Sequence, residues 1–191
     1  ACRHGPFLGW KKSDRTMGLD IWAVSNCIEA RDRRMGALRL VEEIGVGQLV
    51  EILDLDEHSA RHWHGLKPGT WFQTPGSEES RARLCSYSVW HRWRWYCAEL
   101  CSATLAGQPH KLAPLLDHTD TGCGFSTRTC GVLARELDRL APIFKTHLLA
   151  DYQAQALGGV LQPDAEDFLE IMGVLTVHFR LGAQHGLLFF E

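Results

Sequence analysis

A chain of 191 residues that is 45% hydrophobic and 23% charged, with a formal charge of −3, has the make-up of a globular protein, and its length favours one domain over two. Its longest apolar stretches, Ile171 to Val177 and Leu187 to Phe190, fall far below the roughly 20 residues a membrane-crossing helix needs, so no membrane partner is expected. Seven cysteines without the regular spacing of a disulfide scaffold, and a start that lacks the sections of a signal peptide, point to reduced thiols and a cytoplasmic setting.

The charge is unevenly spread. Residues 1–16 hold Arg3, Lys11, Lys12 and Arg15 against the single Asp14, a local +3, which leaves about −6 on the rest. A body of that sign argues against nonspecific nucleic-acid binding. These sixteen residues show no clear periodicity and read as a non-native upstream extension, with the folded domain running from 17 to 191.

Met17-Gly-Leu-Asp20 leads into an apolar run, Leu19 to Val24, of strand character. From Ser25 the period changes, with Ile28, Met35, Leu38, Val41 and Ile44 at helical intervals and Ser25 or Asn26 as the cap. Gln48 to Leu55 alternates like a strand, and Thr70 to Thr74 and Ser80 to Leu84 are short strands around the Pro75-Gly76 turn. Ser86 caps a helix on which Val89, Trp93, Tyr96 and Leu100 form the apolar face, with Trp90, Cys97 and Cys101 beside it. A short run, Leu112 to Leu116, precedes a polar loop from Asp117 to Gly124. Ser126 or Thr127 then starts a helix to about Leu140, and Pro163-Asp164 opens a last helix carrying Phe168, Ile171, Met172, Leu175 and Phe179 on one side. Leu187 to Phe190 reads as a terminal strand. Strands near both ends with helices between predict an α+β domain, in which a small, mainly antiparallel sheet pairs the Met17 and Leu187 segments and packs against three to four helices.

Four stretches carry a resemblance. Cys85-Ser-Tyr-Ser-Val-Trp-His-Arg-Trp-Arg94 resembles the motif G-S-Y-S-x-[YF]-x-x-W-R of a family of small bacterial and phage proteins that begin M-G-L-D. Gly65-Leu-Lys-Pro-Gly69, the loop His118-Thr-Asp-Thr-Gly-Cys-Gly-Phe-Ser126 and the ending from Phe179 through Gly186 to Phe190 are similar to its further motifs, in the same order. The resemblance spans Met17 to Glu191 and implies a phage or mobile-element type of protein, but no activity. Gly122, Cys123 and Cys85 depart from the family's pattern, which leaves Asp120 and Asp117 as the acids of the loop.

Several constellations carry chemistry. His62 and His64 lie on one side of an extended segment, with His58 close by, and Asp120, His118 or Cys123 would complete a zinc or other divalent-metal site; the spacing matches no established zinc signature, so solvated or hydrogen-bonded histidines are favoured over a metal cofactor. Cys97 and Cys101 are expected to be core residues. Cys123 and Cys130 flank a loop and a helix start, where a thiol with His118 nearby would make a Cys–His nucleophile pair, a reading disfavoured because nothing fixes a third member or an oxyanion hole. The set Trp90 to Trp95 faces all round a helix, so Trp93 is expected in the core, Arg94 against the acids at Asp117 and Asp120, and Arg92 and Trp95 outward.

The favoured expectation is a pocket where Ser86, Tyr87, Ser88, Arg94, Asp117, His118, Asp120 and Ser126 meet, with Tyr87 or Trp90 as an apolar wall, taking a small anionic or nucleotide-like ligand at paired helix starts. That describes a binding or sequestering module without catalytic residues. The alternatives are a metal-dependent hydrolase using His62, His64 and Asp120, and an interaction module that meets a host or phage protein around Trp95.

Overall fold

Leu19, Ile21 and Ala23 alternate with Trp22 and Val24, so an extended chain here presents apolar groups to both sides. In the computed structural model, which describes residues 18–30, 49–51, 63–67, 69–74, 76–104, 111–117, 123–156 and 165–190, this segment is β1 (Gly18–Val24). It is followed by β2 (Ile28–Ala30), β3 (Leu49–Glu51), β4 (Trp63–His64), β5 (Trp71–Gln73) and β6 (Glu79–Ser86). Helices α1 (Tyr87–Thr104) and α2 (Ala113–Leu116), strand β7 (Cys123–Ser126), helices α3 (Thr127–Ala156) and α4 (Ala165–Gly182) and strand β8 (Leu187–Phe190) complete the described order.

The five-stranded sheet runs β4-β7-β8-β1-β6, with β4 parallel to β7 and the other neighbours antiparallel. The fold is therefore α+β, and the strands nearest the two chain ends pair as expected, Ile21 opposite Phe190 and Val24 opposite Leu187. One face of β1 and β8, with Leu19, Ile21, Leu188 and Phe190, packs under the helices; the other, with Trp22, Val24, Leu187 and Phe189, forms a second apolar cluster with Trp63, Leu66 and Phe72. A register shift at Leu19/Asp20 lets two successive β6 residues, Leu84 and Cys85, both turn into the core, which is the effect of a β-bulge.

The helix expected from Ser25 does not begin there. Ser25 N–H donates to the Glu78 carbonyl (3.0 Å) and its hydroxyl accepts from Glu78 N–H (3.1 Å), while Asn26 and Cys27 donate to the carbonyls of Gln184 and His185. These bonds turn the chain into β2, which joins β5 and β3 in a three-stranded antiparallel sheet. The remainder of that expected helix, from 31 to its closing glycines at 45 and 47, lies outside the described residues.

On α1 Trp93 is buried as expected, and the centre of the stripe is completed by Trp90, Cys97 and Cys101, the residues expected beside the apolar face, while Val89, Tyr96 and Leu100 are partly buried at its margin. Trp93 donates its indole N–H to the Phe168 carbonyl at 3.2 Å. Helix α3 continues to Ala156, well past Leu140, despite Pro142. Phe144 and Leu148 extend the stripe of Leu137 and Leu140 into the core, and that burial outweighs the one backbone hydrogen bond a proline removes.

Candidate functional site

Helix α1 starts as its sequence suggests. The Ser86 hydroxyl accepts from Val89 N–H (3.4 Å) and lies 3.1 Å from the Ser88 hydroxyl, satisfying an end donor that the helix itself leaves open. Tyr87 is half-buried against the core, Ser88 is exposed and Arg94 is half-buried. Arg94 lies close enough to Cys123 for its charge to oppose the upward push that burial gives that thiol. Asp117 is exposed at the end of α2. His118 and Asp120 lie outside the described residues, as do His58 and His62.

Ser126 is elsewhere. It pairs with Leu187, which in turn faces Val24, whereas Ser86 pairs with Gly18 at the other end of β1. Six residues of strand separate those two levels, about 20 Å at roughly 3.3 Å per residue. The starts of α1 and α3 therefore stand at opposite ends of the sheet, and Ser126 does not share a pocket with Ser86, Tyr87 and Ser88. Its surroundings are also filled: the hydroxyl lies 3.2 Å from that of Thr129, which donates to the His64 carbonyl at 3.1 Å, and a Cβ on Gly65 would come within 2.5 Å of Ser126 Oγ. Trp90 likewise leaves the expected pocket. Its ring is 0% exposed, stacked on Trp93 at 5.1 Å and against Phe190 at 5.7 Å, so it is part of the core and not an open wall.

The thiols of the described residues sit in surroundings that favour the protonated form. Burial pushes Cys123 and Cys130 far above the ordinary thiol range, Cys85 up to about 12 and Cys27 up to about 11, and a protonated thiol is a poor nucleophile. Among the described residues no three potential ligands cluster as a metal would require. His64 itself stacks on Phe125 at 5.1 Å.

What the sequence reading missed lies on the face of the sheet opposite α1, α3 and α4. Trp63 faces Gly124, Gly124 faces Phe189, Phe189 faces Trp22, and Trp22 faces Arg81, one row across all five strands. Gly124 makes the row continuous, because a Cβ there would lie 2.8 Å from the Trp63 ring and 3.2 Å from Phe189. Trp63 and Phe189 meet edge to face at 5.6 Å, Phe189 and Trp22 stack at 5.2 Å, and the Arg81 guanidinium lies 4.9 Å from the Trp22 ring centre. Aromatic stacking and cation–π attraction each add about 0.5–1 kcal/mol beyond burial. Two residues along on the same face, Arg83 bonds Asp20 at 3.2 Å across the same pair of strands.

At the open end of the row, Asp20, Trp22, Arg81 and Arg83 line a solvent-open cleft of about 240 Å³. Two guanidinium groups against one carboxylate give its lining a net positive charge on a chain whose formal charge is −3. The indole N–H groups of Trp22 and Trp63 are buried with no hydrogen-bond partner among the described residues. The signal was present in Ser80-Arg-Ala-Arg-Leu84: alternation puts Arg81 and Arg83 on one side of the strand. Their partners on β1 depend on register, which no local pattern contains. Compared with known proteins, the chain matches no protein-family model, no curated protein and no solved structure.

Proposed function

We infer that this protein is a binding module for a small ligand combining an anionic group with a planar one, as a mononucleotide does, and that the cleft at Asp20, Trp22, Arg81 and Arg83 receives it. The observation carrying this reading is Arg81 held over Trp22 at 4.9 Å beside a second guanidinium in an open cleft. An arginine stacked on an aromatic ring is oriented before the ligand arrives, so less side-chain freedom is lost on binding. Asp20 positions Arg83 in the same way. A volume of about 240 Å³ lies just below the range of drug-sized sites, which suits a mononucleotide or a fragment of one. With Trp22 9% and Phe189 8% exposed, the planar part of the ligand has the outer face of the single Arg81 guanidinium to stack on, which suits one base and not the succession of open ring faces that a single-stranded nucleic acid needs. The likeness to phage and bacterial proteins in the Cys85–Arg94 stretch supports a role in a mobile element, and the free thiols of the described residues support a reducing cytoplasmic setting.

The test is a thermal-shift series with nucleoside monophosphates, the matching nucleosides and inorganic phosphate. A monophosphate at about a hundred times its dissociation constant stabilises the fold by about 2.7 kcal/mol, whereas the separate halves give smaller shifts. Arg81→Ala should abolish the shift and lower the unliganded melting temperature by no more than about 2–4 °C, the loss of one exposed cation–π contact. A flat series, or a shift that survives Arg81→Ala, overturns the reading.

A further inference from the structure

The outward side of α4 has a pattern of its own. Glu166, Glu170, Gly173, Val177 and Arg180 are exposed, and steps of four and three residues keep them on one stripe, as in a helix that meets another helix. Val177 is 57% exposed although it is apolar, and a Cβ added at Gly173 would meet nothing within 4 Å. Beside the stripe, Ala141, Pro142 and Lys145 of α3 form the far wall of a groove of about 450 Å³ whose near wall includes Gly173 and Val177.

We propose that this face pairs with the same face of a second copy of the chain, with the two α4 helices antiparallel across a twofold axis at the level of Leu175. Residues equally spaced about that level then meet. Val177 of each copy enters the notch over Gly173 of the other, and Glu170 of each meets Arg180 of the other. A parallel pairing would oppose Glu170 to Glu170 and Arg180 to Arg180, and like charges at such positions are unfavourable. The self-complementary order, acid before the notch and base after the apolar knob, selects the antiparallel arrangement and a closed dimer. Glycine at the crossing lets the backbones approach, and the groove wall from α3 receives the flanks of the incoming helix. Arg180 also bonds Asp138 of its own chain at 2.7 Å; a guanidinium has five donors, so the two contacts are compatible.

The experiment is sedimentation equilibrium of the whole chain across a dilution series at low and moderate salt. A dimer that dissociates on dilution, and more readily as salt rises, is expected. Gly173→Glu fills the notch with charge yet meets open space within its own chain, so it should give a monomer whose circular dichroism and melting curve remain those of a folded protein. Glu170→Arg and Arg180→Glu should each raise the dissociation constant about tenfold, because each change enters twice across the axis, and the double exchange should restore most of the affinity. A chain that is monomeric throughout, a dimer indifferent to Gly173→Glu, or a double exchange no tighter than the single changes each overturns the proposal.

Discussion

Gly124 shows how much one missing side chain does. Alanine in its place would normally stiffen a strand and stabilise it, but its Cβ would lie 2.8 Å from the Trp63 ring. Gly124→Ala is therefore expected to destabilise, by about 1–3 kcal/mol as overpacking does, with the loss read from the urea midpoint. A neutral or stabilising result would mean that Trp63 is not seated over this position. The sequence shows a glycine flanked by Cys123 and Phe125, which reads as a turn signal. Its meaning as a gap for a ring across the sheet comes from the pairing of Trp63 with Gly124 and of Gly124 with Phe189. Arg81 and Trp22 were legible as residue types and as strand positions, but their contact was not, because 59 residues separate them in the chain. Ser86, by contrast, was readable as a cap from local chemistry alone, since a cap depends only on the next three residues.

Among the elements, α3 departs most from its sequence signals. Pro142 removes a backbone donor and normally ends or kinks a helix, so a stop near Leu140 follows from local rules. The helix runs on because Phe144 and Leu148 are buried, 1% and 2% exposed, and Phe144 packs edge to face on Tyr96 at 5.4 Å. Leu148→Ala is expected to cost about 2–5 kcal/mol by denaturant unfolding, the range for a truncated core leucine. A cost near zero would place the end of the ordered helix before it. The segment after β1 erred in the other direction. Ile28 has helical spacing to Met35, yet the hydrogen bonds that Ser25, Asn26 and Cys27 make to Glu78, Gln184 and His185 commit the chain to a strand. A Cβ on Gly186 would run into the Val24 carbonyl, so that turn closes tightly onto the end of β1.

For the whole molecule, His178 ties the helix layer to the sheet and makes stability depend on pH. It is 4% exposed; its Nδ1–H donates to the Val174 carbonyl at 2.8 Å, so its Nε2 accepts from the Ser80 hydroxyl on β6 at 3.1 Å. Burial lowers its pKa, partly offset by the bond to Val174. The unfolded chain then takes up a proton that the folded chain refuses, beginning near the ordinary histidine value of about 6.5. Stability at neutral pH is thus lost progressively as the pH falls below that value. His178→Gln is expected to flatten the decline in melting temperature between neutral and mildly acid buffers; an unchanged slope would show that other groups govern it.

Composition and short-range periodicity suffice for the class of the fold, for the sheet strands near the chain ends and for the helices at Tyr87, Thr127 and Ala165, because each depends on apolar residues recurring within a few positions. They also suffice to show that no helix among the described residues is long and apolar enough to cross a membrane. The location of the candidate site was decided by strand register. That register set Ser126 about 20 Å along the sheet from Ser86 and brought Trp22 beside Arg81. Register is a property of pairs of distant segments, fixed by which faces both can bury together, and it exists only once the chain has closed on itself.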